Sequence, residues 1–176
     1  MSLPAQPLLT LQRVYSAHYL VDVGGQPGND QAFFVHPNGL VVLCLAPGHA
    51  ALQLQPGDAP LAFSFGESLL LSEVSGKRKR GGLTLRQESA VATLSAGGQV
   101  YCLRTGLRAK LLEANARLEQ APQLLCNAHG EGMHDGWLAI LMPFEEALEG
   151  LKQRALGRYA YESAVAARRD ASRDLL

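Results

Sequence analysis

Apolar positions fall in short runs along most of the chain, at 32–36, 40–46, 83–87, 91–94, 100–103 and 137–142. Turn residues separate them: Asn-Gly at 38–39, Pro-Gly-Asp at 56–58, Gly-Gly at 97–98 and Thr-Gly at 105–106. Runs this short between such turns predict strands joined by tight loops. After Pro143 the period changes. Phe144, Leu148, Leu151, Ala155 and Tyr159 recur at helical spacing, with Glu145, Glu146 and Glu149 early and Arg168, Arg169 and Arg173 late. That charge order complements a helix dipole and predicts one or two C-terminal helices, weakened at Gly150 and Gly157. Two segments echo each other, NGLVVLCL at 38–45 and GGQVYCLR at 97–104. Each is a turn followed by an apolar strand, which suits a body made of two related β units.

Composition sharpens this picture. With 176 residues and 47% hydrophobic content, the chain has the size and apolar content for one cored domain. Its 16 Lys+Arg balance 16 Asp+Glu, which argues against a dedicated nucleic-acid binder. The zero total conceals blocks: residues 1–76 carry net −4, 77–117 net +7, 118–150 net −6 and 151–176 net +3. No apolar run approaches the ~20 residues of a membrane-spanning helix, and the start has no basic segment of a secretory signal. Cys44, Cys102 and Cys126, odd in number and set among apolar residues, fit a reducing compartment.

Several residues carry candidate chemistry. Lys77, Arg78, Lys79 and Arg80 stand between Gly76 and Gly81-Gly82, a basic string suited to an acidic protein surface, to phosphate or to nuclear import. It also suits a solubilising loop that guards a strand edge. Arg168, Arg169 and Arg173 form a second basic group. Cys126, His129 and His134 have zinc-like spacing, but a structural zinc takes four ligands and Cys102 would have to converge from another strand. An ordinary loop without metal is expected there. His36 and His49 lie beside turns, where backbone groups commonly satisfy them. Asp22 and Asp30 could be imagined beside them as an acid–base group. No nucleophile elbow accompanies them, and Ser75 beside Lys77 lacks an S-x-x-K pattern, so no catalytic constellation and no cofactor are expected. Tyr15, Tyr19, Phe33, Phe34 and Trp137 are expected to pack the core and its rim.

The stretch from 107 to 165 resembles the C-terminal half of glycine cleavage system H proteins, through Glu113, Asn115, Pro122, Leu124, Leu125, Gly136 and Trp137. The resemblance implies a mainly β barrel-sandwich hybrid with a C-terminal α-helix. An H protein carries a lipoyl group on a hairpin Lys; counted back from Asn115, that position here is Gly98, which has no amine to acylate. Lys77 and Lys79 lie among arginines rather than the acidic or Met neighbours of such a Lys.

A second resemblance spans roughly residues 14–162. Val14-Tyr15, Tyr19, Asp22-Val23, HPNG at 36–39, Leu45-Ala46, His49, VSGKRKRG at 74–81, Tyr101, LLEAN at 111–115, GWLAILMP at 136–143 and FEE at 144–146 are similar to the Abitram (Simiate) family of actin-binding transcription modulators. It implies an N-terminal extension at 1–13, a barrel-sandwich hybrid domain at 14–143 and a C-terminal helical segment at 144–176. It further implies a non-enzymatic interaction module that binds actin, modulates its polymerisation and is present in cytoplasm and nucleus, with no membrane partner. Two alternatives remain open, a chaperone-like assembly factor for translation elongation factor 1A and a degenerate lipoyl-type carrier.

Overall fold

The computed structural model describes residues 14–54, 58–67, 69, 83–127 and 135–175. The fold is mainly β, with C-terminal helices. Its strands are β1 (Ser16–Leu20), β2 (Gln31–Val35), β3 (Val41–Leu45), β4 (Ala62–Phe65), β5 (Leu83–Leu85), β6 (Ala90–Ala96), β7 (Gln99–Arg104), β8 (Ala109–Ala114) and β9 (Ala139–Pro143). They form a six-stranded sheet in the order β1-β2-β3-β9-β8-β5 and a three-stranded sheet in the order β4-β6-β7. Each strand pairing is antiparallel, and among the described residues neither sheet closes on itself. A short helix α1 (Arg117–Gln120) follows β8, and helices α2 (Glu145–Arg154) and α3 (Arg158–Arg173) follow β9.

The alternation within strands decides which face turns inward. Phe33 and Val35 of β2, Val41, Leu43 and Leu45 of β3, and Ala139 and Leu141 of β9 point into the same core as Phe63 and Phe65 of β4, Leu94 of β6 and Leu103 of β7. The two sheets therefore share one interior, to which each fully buried large side chain contributes ~1.5–3 kcal/mol. The two echoed segments are the second arms of tight hairpins, β2–β3 and β6–β7, one in each sheet. The HPNG turn closes by His36 N–H donating to the Leu40 carbonyl at 2.8 Å and Leu40 N–H donating to Asn38 Oδ1 at 3.0 Å. The Gly97-Gly98 turn has φ of 56° and 79°, the left-handed pair that a two-residue hairpin of matching twist requires.

The C-terminal region differs from the expected single stripe. Ala155, Leu156 and Gly157 break the helix, and Leu156 adds a strand-like bridge to β1: Tyr19 N–H donates to its carbonyl at 2.9 Å and its own N–H returns to Tyr19 at 2.8 Å. The break resets the helical phase. Tyr159, expected on the apolar stripe, is 84% exposed, while Tyr161 is buried and stacks on Tyr19 with ring centroids 4.3 Å apart. A second small core results, with Tyr19, Ala32, Cys44, Ala46 and Tyr161 between the outer face of the six-stranded sheet and α3.

Candidate functional site

Lys77, Arg78, Lys79 and Arg80 lie outside the described residues. They belong to the connection from β4, in the three-stranded sheet, to β5, at the edge of the six-stranded sheet. Gly98 is at the exposed tip of the β6–β7 hairpin, and a Cβ built on it would meet no atom within 4 Å. Cys126 is exposed and Cys102 half-buried on β7, whereas His129 and His134 lie outside the described residues. Among the described residues no group of three His, Cys, Asp or Glu could hold a metal. Nor is any helix there long and apolar enough to cross a membrane.

The two histidines have different surroundings. His36 Nδ1 accepts from Asn38 N–H at 3.1 Å, and its ring meets Tyr15 edge-on at 5.1 Å. His49 is fully buried: Nδ1 accepts from Ala51 N–H at 3.0 Å, which leaves the Nε2 proton to Asn29 Oδ1, also 3.0 Å away. Burial lowers its pKa to about 4, with only partial opposition from the Asp30 charge. The ring is thus neutral, with both nitrogens committed.

Asp22 and Asp30 pair with neither His36 nor His49; the structure gives Asp30 to the C-terminal helix. Its carboxylate, fully buried, accepts from Tyr161 Oη at 2.9 Å, from Arg168 Nη1 at 3.0 Å and Nη2 at 3.3 Å, and from Asp22 N–H at 3.0 Å. Tyr161 Oη in turn accepts from Gly48 N–H at 3.0 Å. Burial and the neighbouring Asp30 carboxylate push the Tyr161 hydroxyl well above its ordinary range, so it remains a donor. Tyr161 and Arg168 are seven residues apart, two turns of α3, which puts both on the face toward the sheet. Arg168, grouped by sequence with Arg169 and Arg173 as a basic surface, is therefore occupied internally; Arg169 and Arg173 remain exposed.

The same loop protects an edge of the smaller sheet. Among the described residues β7 has a neighbouring strand, β6, on one side only, and side-chain amides cover its other edge. Gln26 accepts from Cys102 N–H at 3.3 Å and donates to the Val100 carbonyl. Asn29 donates to the Cys102 carbonyl at 2.9 Å. Gln31 accepts from Arg104 N–H at 2.9 Å and donates to the Arg104 carbonyl at 2.6 Å. Three amides thus imitate a neighbouring strand and leave little of this edge for another chain. Asn115 acts similarly between β8 and β9, donating to the carbonyls of Asp135 and Trp137 at 2.9 Å each. Sequence reasoning singled out Asn115 and Asp30 but did not foresee these networks. The available signal was a run of Gly28, Asn29, Asp30 and Gln31 directly before an apolar strand.

These polar residues bind one part of the fold to another. Their hydrogen-bonding capacity is spent within the chain, so the surfaces and the remaining cavities are what a partner meets.

No family model matches the sequence. Among known proteins, Protein Abitram of Dictyostelium discoideum is 34% identical over 137 residues, covering 76% of this chain and 74% of its own length. The chain belongs to the Abitram family. Protein Abitram of Gallus gallus is 28% identical over 173 residues, covering 96% of this chain and 97% of its own, and the Homo sapiens protein is 26% identical over 172 residues. The family likeness thus extends through both sheets and the C-terminal helices rather than resting on one motif. Among solved structures, a glycine cleavage system H protein from Mycobacterium marinum aligns over 78% of this chain and 97% of its own, with a TM-score of 0.36 and 16% identity.

Proposed function

We propose that this chain is a non-enzymatic protein-interaction module that binds actin and modulates its polymerisation, acting in both cytoplasm and nucleus. The observation that carries the reading is the string Lys77-Arg78-Lys79-Arg80 in a member of the Abitram family. A filament presents an acidic surface, and four consecutive cations complement it. One exposed ion pair contributes only ~0–1 kcal/mol, so the string must engage through several contacts at once. The same string has the composition of a minimal nuclear import signal. The buried polar groups support the non-enzymatic part of the reading, because His49, Asp30 and Tyr161 hold structural bonds rather than facing a cleft.

The test is co-sedimentation of the full chain with actin filaments at low ionic strength, paired with a polymerisation assay. Saturable recovery in the pellet and an altered polymerisation rate are expected. A chain that stays in the supernatant at every filament concentration contradicts the proposal.

A further inference from the structure

A small cavity of about 190 Å³ opens between the loop after β1 and the turn that joins β5 to β6. Two of its lining residues are arginines from different elements, Arg104 at the end of β7 and Arg154 at the end of α2. Neither is ion-paired to a carboxylate among the described residues, in contrast to Arg117 and Arg168. Each guanidinium is instead anchored by one backbone carbonyl. Arg104 Nη1 donates to Glu88 O at 2.7 Å, and Arg154 Nη2 donates to Gly106 O at 2.8 Å. A guanidinium has five N–H donors in a fixed fork, so each has donors to spare.

One donor of Arg104 is unusual. Arg104 Nε is buried and has no hydrogen-bond partner among the described residues. An orphaned buried donor on a charged group is costly and requires an explanation in a native fold. The surroundings hold it in place: the Arg104 backbone is fixed on both sides by the Gln31 amide, and Gly24 approaches so closely that a Cβ there would stand 3.0 Å from Nε.

We infer that this cavity is a binding site for a small oxyanion of the phosphate type, free or as a phosphomonoester, gripped by Arg104 and Arg154. Arginine forks suit tetrahedral oxyanions because parallel N–H donors can engage two oxygens at once. The volume falls below the ~300–1,000 Å³ of pockets that enclose drug-sized ligands, and so fits a single phosphoryl group better than a nucleotide or flavin. Two acids also line the cavity. Asp22 already accepts from Gly28 N–H at 2.7 Å and lies 3.7 Å from Arg168. Glu88 is exposed, and its charge opposes an incoming anion.

The experiment is a ³¹P NMR titration of the full chain in phosphate-free chloride buffer, with inorganic phosphate in one arm and glycerol 3-phosphate in the other. Saturable broadening is expected in at least one arm. A response to both assigns the site to phosphoryl groups in general, and a response to glycerol 3-phosphate alone assigns it to phosphomonoesters. Arg154→Gln, at an exposed helix end, should weaken binding by about tenfold or more in a chain that still melts cooperatively in phosphate-free buffer, somewhat below wild type because the bond to the Gly106 carbonyl is lost. Arg104→Gln should do the same where it folds, and Glu88→Gln should tighten binding severalfold. Absence of saturation in both arms, or equal affinity for wild type and a folded Arg154→Gln, overturns the inference.

Discussion

Asp30 is the residue on which the attachment of the C-terminal helix depends. Removing one partner of a fully buried pair typically costs ~3–5 kcal/mol. Arg168→Ala should cost less, about 1–3 kcal/mol, because its side chain is 35% exposed and water replaces part of what is lost. Tyr161→Phe keeps the stack on Tyr19 but removes one of the hydrogen bonds that Asp30 accepts and leaves Gly48 N–H without its partner, so a loss of ~1–3 kcal/mol is expected. Urea denaturation of the two variants checks both values. His49 adds a pH dependence. Its pKa is about 4 in the folded chain and ~6.5 in the unfolded one, so between those values the unfolded state binds more protons. Stability should therefore fall as pH drops from about 6.5 toward 4, by up to ~3 kcal/mol from this residue. His18, lowered by burial and by the Lys152 charge, acts in the same direction. Melting curves across that range should show a smaller slope for His49→Gln than for wild type; an unchanged slope would remove His49 as its origin.

Helix α3 shields a cysteine as well as a sheet face. Cys44 is fully buried beneath it, and burial pushes its thiol up to about 12, so in the intact fold it should resist thiol reagents that modify exposed Cys126. Tyr161→Ala should loosen α3 and increase Cys44 labelling several-fold, as read by peptide mass mapping; protection equal to wild type would show that α3 does not guard this face. The hairpin strands were legible because apolar runs and Asn-Gly or Gly-Gly turns are local signals. β8 was not legible from propensity. Ala-Lys-Leu-Leu-Glu-Ala favours a helix, and it is a strand because β5 and β9 take up its backbone on both sides. β4 does alternate, but over only four residues, and β1 has a single buried side chain, Tyr19. The exchange of Tyr159 for Tyr161 on the buried face came from the break at 155–157, whose bridge to β1 is a tertiary contact. The amides that cover β7 were hidden for a similar reason, since Asn29 and Gln31 meet their partners 73 positions away.

At the scale of the molecule, zero net charge coexists with a block of +7 over 77–117, next to one of −6 over 118–150. Fields of this kind orient a partner at short range and fade within a Debye length of about 8–10 Å at physiological salt. The proposed function places the contact with actin at Lys77, Arg78, Lys79 and Arg80. Changing all four to Ala is expected to leave the melting temperature nearly unchanged, as surface charge substitutions generally do. The direct measurement is co-sedimentation of wild type and this quadruple variant with actin filaments as salt rises from low to physiological. Wild-type recovery should fall steeply with salt while the variant stays largely in the supernatant throughout; a variant that pellets as well as wild type at every salt concentration would contradict the proposed contact.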